Sequence, residues 1–93
     1  MCIRDSDYAT ARQVLEKALK HNPYYAYGNV RYGQVLMYYA DEAKRSGERE
    51  DAIKLLTLAR DHLGKAKVDD RYSDAASQLT AQVENRLKQL AGR

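Results

Sequence analysis

The sequence has no Phe, no Trp, one Pro, one Cys and five Gly in 93 residues. The glycines stand apart, at positions 28, 33, 47, 64 and 92, which excludes a Gly-rich phosphate loop. No apolar run approaches the ~18 residues of a membrane-spanning helix, so no membrane segment is expected. The net charge of +3 is small and the signs alternate, as in Asp41-Glu42-Ala43-Lys44-Arg45 and Glu48-Arg49-Glu50-Asp51. A nucleic-acid binder presents a patch of one sign; here the charges read as solvated helix faces, and nucleic acid is not an expected partner. Nowhere does the period-2 alternation of a half-buried strand appear.

Catalytic and metal-binding patterns are equally thin. His21 and His62 are the only histidines, and neither has a second His or Cys at ligand spacing. Each falls near a predicted helix C-terminus, where the helix dipole favours a cationic imidazole. No Ser-His-Asp arrangement is implied. Asp69-Asp70 reads as a helix start in a polar link, not as a catalytic dyad. The expectation is a chain with no enzymatic activity, cofactor or metal.

What is present is a composition rich in Ala, Leu, Lys, Glu and Arg, which favours helix, and apolar residues at 3–4 spacing. Four helices can be placed. The first runs from about Asp7 to His21, with Tyr8, Ala11, Leu15, Ala18 and Leu19 on one stripe. Asn22-Pro23 ends it, with Asn22 a turn residue and a candidate N-cap of the next helix. The second spans about Pro23 to Ser46, roughly 36 Å at 1.5 Å per residue, and Gly47 is a left-handed stop. The third covers Glu48 to Leu63, with Ala52, Leu55, Leu56 and Ala59 inward and Gly64 closing it. After the link Lys65–Asp70, the fourth carries Tyr72, Ala76, Leu79, Val83, Leu87 and Leu90. Connections this short make successive helices antiparallel neighbours.

The first six residues, Met1-Cys2-Ile3-Arg4-Asp5-Ser6, resemble the in-frame translation of a sequencing-library adapter, the transposon end ATG-TGT-ATA-AGA-GAC-AG. Residues 1–6 are therefore set aside as an adapter-derived artefact. Cys2 then says nothing of redox compartment, and the natural chain is expected to begin upstream.

Ala11-x6-Ala18-x4-Pro23 resembles the second helix of a tetratricopeptide repeat (TPR): two small residues seven apart, a large apolar Leu15 between them, then proline at the repeat boundary. Ala52-x6-Ala59 with Leu56 repeats the pattern, and Gly64 stands where the proline would be. Asn29-x2-Tyr32-Gly33-x2-Leu36 resembles the first helix of a TPR, with Gly33 as the small residue and Gly47 as the turn glycine. Small residues at these positions let helix backbones approach closely. From Gly33 to Gly47 the chain carries about seven more residues than a standard repeat, and the fourth helix lacks the glycine signature. The resemblance implies an all-α, TPR-like α-solenoid of antiparallel helical hairpins. Residues 7–22 are then the second helix of a truncated repeat, 23–64 one stretched repeat and 65–93 a C-terminal capping helix, the tail of an array. The face of the first helix formed by Ala11, Leu15 and Ala18 is expected to be more exposed than its apolar sequence warrants, and it offers a route to self-association.

Six of the eight tyrosines fall on the second helix. At ~100° per residue, Tyr25, Tyr32, Leu36, Tyr39 and Ala43, joined by Asn29, form a stripe expected in the core. Tyr27, Arg31, Gln34 and Tyr38 form a second stripe continuing through Asp41 and Arg45. The first helix of each TPR lines a concave groove, so the resemblance makes Tyr27, Val30, Arg31, Gln34, Met37 and Tyr38 the candidate partner-binding residues. TPR domains that clamp a C-terminal carboxylate carry Lys and Asn in this groove. Val30 and Gln34 stand at those positions, so no clamp is expected. The functional expectation is a protein–protein interaction scaffold that binds a peptide or protein partner. The alternative is an accessory repeat segment of a larger enzyme or sensor whose functional domain lies upstream. A structural bundle without a groove is the third reading.

Overall fold

The computed structural model describes residues 5–92, with side chains described from Tyr8 onward. Residues 1–4 of the adapter-like segment lie outside the described residues, while Asp5 and Ser6 belong to the first helix. The described residues form an all-α fold of four helices: α1 Asp5–His21, α2 Ala26–Arg45, α3 Arg49–Ala66 and α4 Ser73–Ala91.

Contacts fix how they lie. Tyr8 of α1 meets Tyr38, and Leu19 lies against Gly28, so α1 and α2 are antiparallel. Asn29 and Gly33, early in α2, meet His62 and Leu63, late in α3. Arg49 at the start of α3 donates to the carbonyl of Leu90 near the end of α4. The alternation brings α2 and α4 side by side and parallel, tied by Arg86 and Asp41.

The main core gathers Leu19, Tyr32, Leu36, Leu56, Leu63 and Val83 among its members. A smaller cluster of Ala26, Val30, Ala66 and Ala76 closes the end where α2 and α4 begin. Ala52, Leu56 and Ala59 are all at or below 1% exposure, as their spacing predicts. Gly33 has a close neighbour: a Cβ there would stand 2.9 Å from Cγ and Cδ2 of Leu63. The missing methyl group is what lets α2 and α3 approach at this crossing. On α1, only Leu19 is buried among the described side chains; Ala11, Leu15 and Ala18 are half-buried and Val14 is 60% exposed.

The turn after α2 follows its sequence. Gly47 has φ +80°, its N–H donates to Lys44 O at 3.1 Å, and Glu48 N–H donates to Ala43 O at 2.8 Å. This 5→2 and 6→1 pair is a Schellman motif, which requires a left-handed residue.

Four expectations are corrected. Gly64 does not close α3: the helix runs to Ala66, and no positive φ occurs at Gly64. Leu63 and Ala66 are both fully buried, and burying one more turn outweighs the ~1 kcal/mol that glycine costs in a helix. Asn22 is not the cap of α2. Its Oδ1 accepts from Tyr24 N–H at 3.3 Å, closing a turn two residues on, and α2 starts at Ala26 behind Tyr25. Tyr25 is therefore outside the helix, at 42% exposure rather than in the core. Its ring covers the bare backbone of Gly28, where a Cβ would meet Tyr25 Cδ2 at 2.8 Å. Asp69 organises the α3–α4 link instead of starting a helix. Its carboxylate accepts from Arg71 N–H and from the Arg71 guanidinium, both at 2.9 Å, and those hydrogen bonds hold it below the usual carboxylate pKa.

Candidate functional site

Where α2 and α4 run side by side, the exposed stripes of both helices face a common groove. From α2 come Arg31, Gln34, Tyr38 and Asp41, at the 3–4 spacing of one helix face. From α4 come Leu79, Gln82 and Arg86 at the same spacing. Tyr8 of α1 adds a rim at one side. These residues enclose an open cavity of about 440 Å³. A second cavity of about 370 Å³ continues along the groove between Lys44, Asn85, Gln89 and the floor residues Ala40 and Leu56. Asp41, Gln82 and Arg86 line both.

The partition between the two cavities is a two-pronged ion pair. Arg86 Nε donates to Asp41 Oδ1 at 3.0 Å and a terminal nitrogen donates to Oδ2 at 3.2 Å. Paired hydrogen bonds of this kind fix orientation as well as distance. Arg31 spends one donor on a neutral partner, Gln34 Oε1, at 3.2 Å. Tyr38 stacks on Tyr8 with ring centroids 3.7 Å apart and 4° between planes, and it meets Tyr39 in an edge-on arrangement at 5.4 Å. The aromatic rim is thus set by packing from two helices.

Four of the six residues singled out from the sequence, Arg31, Gln34, Met37 and Tyr38, line one cavity. Met37 does so from the buried side, at 6% exposure. Val30 is buried with Ala26, Ala66 and Ala76 and supports the wall. Tyr27 lies apart, 44% exposed, its ring 6.0 Å from Tyr72 and 6.1 Å from Tyr25. Two contributors were not anticipated. Tyr8 joins through tertiary packing that α1's own pattern does not disclose. The α4 residues Gln82, Asn85, Arg86 and Gln89 were legible as the polar face of a capping helix, but their facing α2 depends on the parallel placement of the two helices.

A second polar cluster lies behind the groove. Asn29 is fully buried; its amide donates to Pro23 O at 3.0 Å and Tyr25 O at 3.1 Å. With both amide donors committed, Asn29 Oδ1 is the acceptor for His62 Nδ1–H at 2.7 Å. The His62 ring stands edge-on to Tyr32 at 4.7 Å. Burial lowers the His62 pKa and Lys65 adds to that, against a smaller opposing pull from Asp61. The expected preference for a cationic His62 is reversed: α3 continues past it, and desolvation outweighs the dipole. Tyr32 in turn donates its hydroxyl to Glu16 at 2.8 Å, linking α1 to the same cluster. Burial and Glu16 both raise the Tyr32 pKa.

Among the described residues no group of three or more His, Cys, Asp or Glu side chains converges as a metal site. No helix is long and apolar enough to cross a membrane, among the described residues. Comparison with protein-family models, curated proteins and solved structures finds no match to this chain.

Proposed function

We propose that this chain is a protein-interaction scaffold of the TPR-like type, without catalysis of its own, and that it binds a peptide or protein segment in the groove between α2 and α4. The observation that carries the reading is the groove itself: two adjoining cavities between parallel helices, lined by side chains suited to recognition. Tyr and Arg are prominent among residues that dominate interface energetics, and both occur here, in Tyr38, Arg31 and Arg86. Carboxamides at Gln34, Gln82 and Gln89 can donate to and accept from the backbone of an extended chain.

Two further features support the helical-repeat reading. Gly33 makes the close crossing with α3 at Leu63, and the small residues Ala52 and Ala59 flank Leu56 on the buried face of α3. Stacked hairpins of this kind present extended concave surfaces to partners.

The test is selection of binding peptides from a displayed random library, followed by affinity measurement on Tyr38→Ala, Gln82→Ala and the parent chain. Each side chain is on the groove surface, so folding, followed by circular dichroism, should be retained. The reading expects a loss of affinity of about tenfold for Tyr38→Ala, the size of an aromatic interface anchor. Unchanged affinity in both variants would reject the groove as the binding surface.

A further inference from the structure

Among the described residues only one carboxylate, Asp41, lines either cavity, and Arg86 already occupies both of its oxygens. The remaining described charged side chains at the groove are Arg31 in one cavity and Lys44 in the other. Arg31 is bound only to the neutral Gln34, and no described carboxylate lies within ion-pair distance of either cation. Among the described residues the groove therefore carries two cations without an ion-pair partner, one on each side of a neutralised partition.

Their spacing is set by the helix. Lys44 is thirteen residue steps beyond Arg31, about 20 Å along the axis at 1.5 Å per residue and about 140° round the helix, so the axial rise is the least distance a ligand must span. An extended chain advancing ~3.3 Å per residue covers that distance in about six residues. From the charge and the spacing together, we propose that the groove's ligand is an extended acidic peptide. Two side-chain carboxylates about six residues apart meet Arg31 and Lys44, and the intervening backbone crosses the Asp41–Arg86 pair against Gln82. This rests on the reading of the groove as a peptide site and adds to it the chemistry of the occupant. The recognised groups are side-chain carboxylates within a segment, so the peptide need not end in the groove.

The experiment uses the full chain and synthetic ten-residue peptides labelled for fluorescence anisotropy. One carries two glutamates six residues apart in a neutral, flexible background. The others replace both with glutamine, replace both with lysine, or place the glutamates two residues apart. Exposed ion pairs contribute a factor of roughly 2 to 5 each, so the six-apart diglutamate should bind several-fold tighter than the glutamine and two-apart peptides. The lysine peptide should be weakest, and the differences should shrink at high salt. Arg31→Gln should abolish the advantage of one glutamate and Lys44→Gln that of the other. The double charge reversal Arg31→Glu/Lys44→Glu should reverse the preference to lysine. Both side chains are exposed, so these variants should fold normally. If library-selected peptides perturb groove amides yet bind regardless of their acidic residues, or if lysine and glutamate peptides bind equally, the acidic ligand is rejected while the groove reading stands. If no peptide, selected or designed, perturbs groove amides, both are rejected.

Discussion

The same substitution should stabilise the chain at one glycine and fail to stabilise it at another. Gly64 lies in the last turn of α3, exposed, with nothing within 4 Å of where a Cβ would stand. Alanine there loses less backbone entropy on folding, so Gly64→Ala should stabilise by about 0.5–1 kcal/mol. Gly33 gains the same helical advantage, but its new methyl would sit 2.9 Å from Cγ and Cδ2 of Leu63. Leu63 is fully buried, and overpacking against a buried side chain costs roughly 1–3 kcal/mol. Net, Gly33→Ala should be neutral to destabilising by about 2 kcal/mol, and less stable than Gly64→Ala by about 1–3 kcal/mol. Urea unfolding followed by far-ultraviolet circular dichroism resolves such differences. A double variant supplies the internal control: Leu63→Ala alone should cost about 2–5 kcal/mol, and adding Gly33→Ala to it should be stabilising, because the methyl then enters vacated space. Two results would refute the reasoning. Destabilisation by Gly64→Ala would mean that Gly64 is a left-handed helix stop after all. A Gly33→Ala variant as stable as Gly64→Ala would mean that the α2–α3 crossing does not depend on the missing side chain.

Further predictions follow from the same structure. Asn29→Ala would strand the Pro23 carbonyl and the His62 Nδ1–H, while the Tyr25 carbonyl keeps the backbone N–H of residue 29; unfolding free energy should fall by about 1–3 kcal/mol. His62 has a lowered pKa, so between its folded and unfolded values the unfolded chain binds more protons. Its contribution to stability is complete above the ordinary imidazole pKa of about 6.5 and declines as pH falls through and below it. Urea midpoints between pH 7.5 and 5.5 should show a decline that is smaller in His62→Gln. Arg86→Ala removes a half-exposed ion pair at the groove partition, and its effect on stability should stay within about 1 kcal/mol. A double-mutant cycle with Asp41→Ala would measure the coupling.

Much of this architecture is legible in the sequence because it is local. The Schellman turn at Gly47, the buried Ala52–Leu56–Ala59 face and the close approach at Gly33 each depend on residue type at a fixed helical spacing. Gly64 was assigned from punctuation, yet burial of Leu63 and Ala66 extends α3 to Ala66; Tyr25 was assigned from the period of a helix that in fact starts one residue later, at Ala26. For the groove, periodicity identified the α2 stripe but not its opposite wall. That wall comes from α4, some 45 residues away along the chain, and Tyr8 arrives from α1. His62 shows the same limit: its position in the helix pointed to a cation, while burial against Tyr32 and Asn29 favours the neutral ring.

The groove between α2 and α4 as a binding surface is tested most directly by a backbone-amide chemical-shift map of the isotopically labelled chain titrated with library-selected peptides. Shifts should concentrate on Arg31, Gln34, Tyr38, Gln82 and Arg86, and exposed residues of α3, such as Leu58 and Arg60, should stay still. Shifts concentrated on the half-covered face of α1, around Val14 and Ala18, with the groove amides unmoved, would contradict the groove reading.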